Sequence, residues 1–300
     1  MRMRVWLIVA AALTLGARVP AQDVHAHVSP DSKGTTASTD DFPTIQMALD
    51  HAPQPGPEGR LYLHLSPGVY RERVIVTQGR PRTTLLGMGT KPGDVVITAS
   101  QNSKSAGGTF FSSTVEIDGA AFEADNVTFE NAAGNTGQAV AITVRSDRSV
   151  FKKCRFLGDQ DTLFADFGRQ YYADSYIRGG VDLIFGNATA VFDDDEIHII
   201  RPGYLTAQSR TSPEQTTGYV FRHAKITAAD MDGKVFYLGR PWRPYSRVIF
   251  LASWMPESLS PQGWSPWKKG ETIQDAFYGE RDSRGPVHGA DVSERIARTE

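Results

Sequence analysis

From about residue 60 onward the chain is a succession of short runs with the two-residue apolar/polar period of β-strands, punctuated by turn residues and almost free of helical periodicity. Five runs resemble one another: "DNVTFEN", "KKCRFLG", "ADSYIRG", "DDEIHII" and "RHAKITA". Aligning the apolar residue that each turns inward gives Phe129, Phe156, Ile177, Ile197 and Ile226, in steps of 27, 21, 20 and 29 residues. Repetition near this period, built of short strands, marks a solenoid in which each coil stacks on the one before. A β-sandwich would also show many short strands, but with hairpin signals about every 8–12 residues, and those are missing here. The pattern therefore predicts an all-β chain folded as a single-domain, right-handed parallel β-helix. One segment departs from it. "DDFPTIQMALDHAP" carries apolar residues at 42, 45, 49 and 52, with Asp and Pro near its start, and predicts one short N-terminal helix.

Ahead of that helix the pattern changes twice. "MRMR" followed by the apolar stretch Val5 to Leu15, too short to span a bilayer, and then "VPA" at 19–21, predicts a signal peptide over residues 1–21. No cysteine follows the cleavage position, so a lipoprotein anchor is not expected, and the protein is expected to be secreted or periplasmic. Residues 22–39 read as a loose polar lead-in, and 40–300 as the solenoid domain. Of 300 residues, 40% are hydrophobic and 22% charged, which suits a large core. The formal net charge of −2, with no basic block, argues against nucleic acid as a partner but leaves room for a polyanionic carbohydrate held by local arginines. Cys154 is the one cysteine, which excludes a disulfide framework and a thiolate metal site.

The β-helix gives meaning to the acidic stretch "GDQDTLF" at 158–164. Residues one coil apart lie about 4.8 Å from each other. Asp161 and Asp182 are 21 residues apart and Gln138 precedes Asp161 by 23, so the three are expected on successive rungs of one outer face. Two carboxylates so close cannot both ionise easily; the charged one supplies a nucleophile or base and the neutral one an acid. Other chemistries find little support. The chain has no G-x-S-x-G and no H-E-x-x-H, and its seven histidines read as dispersed. The acidic run at 193–196 reads as a solvated coil turn rather than a calcium site. No metal and no cofactor are expected.

Six motifs, "GVYRE", "GQAVA", "GDQDTL", "VDLIFGNA", "TAQSR" and "LGRPW", stand in an order in which the sequence resembles the pectin methylesterase (pectinesterase) family of carbohydrate esterases. The resemblance runs from about residue 68 to 267. It implies a right-handed parallel β-helix that demethylates homogalacturonan, the methylated backbone of pectin, releasing methanol. It further implies Asp182 as nucleophile, Asp161 as general acid/base, Gln138 and Gln160 as oxyanion donors, Arg240 as the residue orienting Asp182, and Phe185 and Trp242 as rings that contact the sugar chain. A monomer without a membrane anchor is expected, with pectin as its partner.

Tyr70 and Glu72 in "GVYRE" read as structural, Trp264 and Trp267 as a cap on the last coil, and Arg210 as either a backbone tie or a cleft residue. Leu183 and the "LFADFG" stretch depart from the family pattern, and both are expected near the cleft. Two alternatives stay open: a β-helix lyase or polygalacturonase that cuts the glycosidic chain, and a non-catalytic β-helix that binds carbohydrate.

Overall fold

In the computed structural model, which describes residues 22–34, 40–273 and 275–286, every strand pairing between named strands is parallel. The strands form a right-handed parallel β-helix. One sheet of eleven strands runs from Asp41–Phe42 and Val24–Val28 at one end to Phe277–Arg281 at the other; a second, of twelve strands, folds around the remaining faces. The inward residues aligned from the sequence fall in register, with Phe129 opposite Phe156, Phe156 opposite Ile177, Ile177 opposite Ile197 and Ile197 opposite Ile226. All five are fully buried.

Stacking equivalent residues one strand spacing apart makes ladders of like side chains. Phe151, Tyr172, Phe192, Phe221 and Phe250 form an aromatic column with centroid separations of 4.9, 4.6, 4.5 and 4.3 Å, their rings within about ten degrees of parallel. Such pairs add about 0.5–1.5 kcal/mol each beyond the area they bury. Trp264, stacked on Tyr278 at 4.2 Å and tilted against Phe250, covers the core near the C-terminal end, as expected.

From the strand Glu123–Asp125 onward each coil turns a corner through one residue with left-handed backbone: Asn126, Lys153, Asp174, Asp194, His223, Ala252 and Asp282, with φ between 49° and 61°. At four of these corners the N–H of the next residue is met by a side chain of the following coil. Cys154 N–H donates to Ser175 Oγ at 3.0 Å, Ser175 N–H to Asp195 Oδ1 at 2.7 Å, Ala224 N–H to Ser253 Oγ at 3.2 Å, and Ser253 N–H to Ser283 Oγ at 3.3 Å. The acidic run at 193–196 is thus a coil turn but not a fully solvated one. Asp194 is exposed, whereas Asp193 is buried against Arg222 and Tyr171, and Asp195 is fully enclosed. Burial pushes the Asp195 carboxyl up to about 8.

The helix expected over 42–52 is Ile45–His51, with Ile45, Ala48 and Leu49 on the core. Thr44 caps it by accepting the Met47 N–H, and Glu72 accepts the N–H groups of Ile45 and Gln46 at 2.9 and 3.0 Å. Tyr70 lies with its hydroxyl 2.8 Å from the carbonyls of Val28 and Ser66, so both "GVYRE" side chains are structural. A second helix of four residues, Ser103–Ala106, was not expected; Asn102 caps it in a loop too short to show a helical period.

The signal peptide expected over 1–21 lies outside the described residues. The loose lead-in over 22–39 is corrected in part: Val24–Val28 is a strand paired with Leu61–Leu65 and with Asp41–Phe42. Its Ala26 and Val28 are fully buried, an alternation that the two outward histidines disguise as polar chain.

Candidate active site

Asp161 and Asp182 each occupy left-handed backbone, with φ of 61° and 49°. That conformation is uncommon for residues other than glycine but best tolerated by Asp and Asn, and it tends to be kept where surrounding structure holds it for a task. Gln160 bridges Gln138 on one side and Val181 on the other, and the Asp161 N–H donates to the Val181 carbonyl at 3.0 Å. The register therefore corrects the single ladder expected from residue counts. Gln138 stands opposite Gln160 rather than Asp161, and the two aspartates stack in the neighbouring column. Two glutamines and two carboxylates consequently face the same cleft from adjoining columns.

Arg240 reaches this cleft from just beyond the strand Tyr237–Gly239, which pairs with Tyr204 and Thr206. A Cβ on Gly239 would lie 2.0 Å from Thr206 Oγ1, so only glycine lets the two strands approach here. The Arg240 guanidinium makes a fork on Asp182, with Nε donating to Oδ1 at 2.9 Å and Nη2 to Oδ2 at 2.6 Å. Its plane is held between Tyr204 and Trp267, whose ring centres lie 4.0 and 4.2 Å from Cζ. Asp182 is 6% exposed and Asp161 9% exposed.

These surroundings push the two carboxyls apart. Burial, then the charge of Asp182, raise Asp161 to about 8, against the pull of Arg240 and a hydrogen bond from Gln160. Burial raises Asp182 too, but the Arg240 fork opposes it directly. The proton of the pair accordingly sits on Asp161, and the charge on Asp182. Gln138 is oriented as well: Ser103 Oγ donates to its Oε1 at 2.9 Å, which leaves the amide NH₂ for the cleft.

Phe185 and Trp242 both line the cleft, differently. Phe185 is 3% exposed and stacked on Phe164 at 4.5 Å, so it forms the floor; Trp242 is partly exposed beside it, 6.1 Å away. Trp267, expected to cap the last coil, instead lines the cleft and holds Arg240. Phe110, 44% exposed, packs on Phe164 at 5.1 Å and closes another side. The sequence signal for it was an aromatic pair in the otherwise polar stretch "GGTFFSS". Of the departures from the family pattern, Phe164 packs directly behind the cleft residues Phe185 and Phe110, whereas Leu183 faces the core and is fully buried. Arg210 bonds the Pro213 carbonyl and is absent from the cleft lining.

The family model described as Pectinesterase matches residues 31–299. The chain is 40% identical over 280 residues to Pectinesterase 31 of Arabidopsis thaliana, covering 90% of this chain and 84% of that protein. It is 37% identical to a pectinesterase of Daucus carota, covering 90% and 86%. Among solved structures, the pectin methylesterase from carrot superposes with a TM-score of 0.81 at 34% identity, over 89% of this chain and 84% of that one. A pectin methylesterase in complex with a hexasaccharide superposes with a TM-score of 0.73 at 26% identity, over 90% and 92%.

Proposed function

The chain belongs to the pectinesterase family, and from that premise we propose that it hydrolyses the methyl esters of homogalacturonan through Asp182 and Asp161. The observation that carries this assignment is the placing of one arginine fork on only one of two stacked, buried carboxylates. The ionised Asp182 attacks the C6 carbonyl of a methylated galacturonate, and the carbonyl oxygen becomes an oxyanion. The amide groups of Gln138 and Gln160 donate to that oxygen; removing one such donor typically costs about 10²–10³ in rate. Asp161, carrying its proton, transfers it to the departing methoxide, and methanol leaves behind an anhydride between Asp182 and the sugar carboxyl. Asp161, now charged, takes a proton from water as the water attacks the anhydride, which releases the free galacturonate and restores both side chains.

Trp242 offers a ring to a pyranose face above the Phe185 floor. Action on a polymer outside the cell fits the leader expected at 1–21, and among the described residues no helix is long and apolar enough to cross a membrane. The test is methanol release from methylated homogalacturonan by wild type and Asp182→Asn, with chain length followed in parallel. Methanol without chain shortening, abolished in Asp182→Asn, is the expected result. Shortening of the chain, or wild-type methanol release from the variant, overturns the reading in favour of a glycosidic-bond enzyme or a different nucleophile.

A further inference from the structure

Far along the chain from the cleft residues, the outer face of the eleven-stranded sheet carries three histidines in one patch. His25 and His27 are two residues apart on Val24–Val28, so both point outward, and the parallel register sets His27 directly opposite His64 on Leu61–Leu65. His25 Nδ1 and His64 Nε2 lie 3.0 Å apart. The ring centroids are 5.3 Å apart for His25 and His64, and 5.1 Å for His27 and His64. Tyr62 stacks on His25 at 4.8 Å with an interplanar angle of 7°, which fixes that ring from the side. On the other flank of His27 the register places Asp41, so a carboxylate stands next to the imidazoles. The H-x-H spacing is visible in "VHAHV", but the third imidazole comes from 37 residues further on, which is why the histidines read as dispersed.

We infer that His25, His27 and His64 form a surface site for a late first-row divalent cation (Zn²⁺, Ni²⁺ or Cu²⁺) that ties the strand Val24–Val28 to Leu61–Leu65. Imidazole nitrogens bind zinc at about 2.0–2.1 Å, which sets two ligand nitrogens on one ion about 3 Å apart; His25 Nδ1 and His64 Nε2 stand at that separation, sharing a hydrogen bond whose proton the ion would displace. Neutral imidazole is the ligand of choice for these ions. His27 is exposed and stacked on His64 at 5.1 Å, so a turn of its ring brings the third nitrogen to the ion.

Among the described residues, Asp193, Asp194 and His223 are the group whose three ligand atoms already lie within 4.8 Å of one another, whereas the histidine site is completed only when His27 turns; but Arg222 and Tyr171 already occupy the Asp193 carboxylate.

The experiment is calorimetric titration of the untagged full-length protein with ZnCl₂, and separately NiCl₂, at pH 7.5, paired with thermal melts with and without the ion. One ion per chain is expected, with a rise in Tm that EDTA reverses, since an ion bound only by the folded state stabilises it. His64→Gln, checked for wild-type circular dichroism, should bind at least about tenfold more weakly, and His25→Gln/His64→Gln should lose the Tm rise; even outer partners of a metal site cost about 10–100-fold when removed. Affinity should also fall at acid pH, where protons compete with the ion for imidazole. His223→Gln serves as the control and should bind normally. Unchanged binding in the double variant, loss of binding in His223→Gln, or no heat and no Tm shift at millimolar ion would each overturn the site.

Discussion

Arg240→Ala removes the one cation that distinguishes Asp182 from Asp161. In the folded protein burial already drives both carboxyls upward, and the fork at 2.9 and 2.6 Å is what opposes this at Asp182. An opposite charge at this range lowers a carboxyl pKa by about 1–3. Without it, Asp182 should hold its proton to correspondingly higher pH. At a pH below both the old and the new pKa the ionised nucleophile is scarcer by the same one to three powers of ten, and by less once the wild-type carboxyl is ionised, so methanol release at the acid end of the profile should fall by up to about 10- to 10³-fold. Part of that loss should return as pH rises, because Asp182 then ionises without help. The recovery is cut off on the alkaline side as Asp161 gives up the proton it needs as an acid, at about 8 in the wild type. Arg240→Lys keeps the charge but not the fork, so its acid limb should stay near that of wild type while the plateau drops. The assay is initial methanol release across pH 4–9 on one methylated homogalacturonan. A uniform loss in Arg240→Ala, with the acid limb unmoved, would refute the electrostatic role and leave Arg240 as a packing element between Tyr204 and Trp267.

Asp161→Asn should lower methanol release by about 10²–10⁴-fold, the usual worth of a general acid. Its stability should move as well. The folded state holds the Asp161 proton up to about 8, whereas the unfolded chain releases it near 3.8, so wild type loses stability as pH rises through that window. Tm of Asp161→Asn relative to wild type should therefore climb between pH 4 and 9, and a flat difference would contradict the burial of that proton. Trp242→Ala should raise KM several-fold, on the scale of about 0.5–1.5 kcal/mol for a ring contact, with Tm nearly unchanged; unfolding instead would mark the ring as core. N-terminal sequencing of protein secreted by its native host should begin at Gln22, and an intact Met1 would sink the proposal of export.

The solenoid was legible because a parallel β-helix writes its register into the chain. Phe129, Phe156, Ile177, Ile197 and Ile226 repeat as inward residues, and the backbone pairs them one with the next. Counting residues was less reliable at the outer face. Gln138 is 23 residues before Asp161, yet coils vary in length, and the bridge between Gln138 and Gln160 shows the step to be one shorter. Trp267 was unreadable for a different reason. It lies past the last motif strand, and nothing local says that its ring returns to hold a guanidinium beside the cleft. The strand at 24–28 was hidden by its own chemistry, since the histidines that mask its alternation are exposed while Ala26 and Val28 are enclosed.

The corner ladder from Cys154 through Ser175 to Asp195, and from Ala224 through Ser253 to Ser283, has a direction. In every link the N–H belongs to the earlier coil and the oxygen to the later one. A coil leaving the ribosome therefore carries a corner that cannot be completed by anything yet synthesised. With about 20–30 residues per coil and synthesis at about 5–20 residues per second, the wait is on the order of one to six seconds. Through that interval the nascent end shows one unmatched N–H beside an open parallel edge, and what closes both is the coil the chain has still to make.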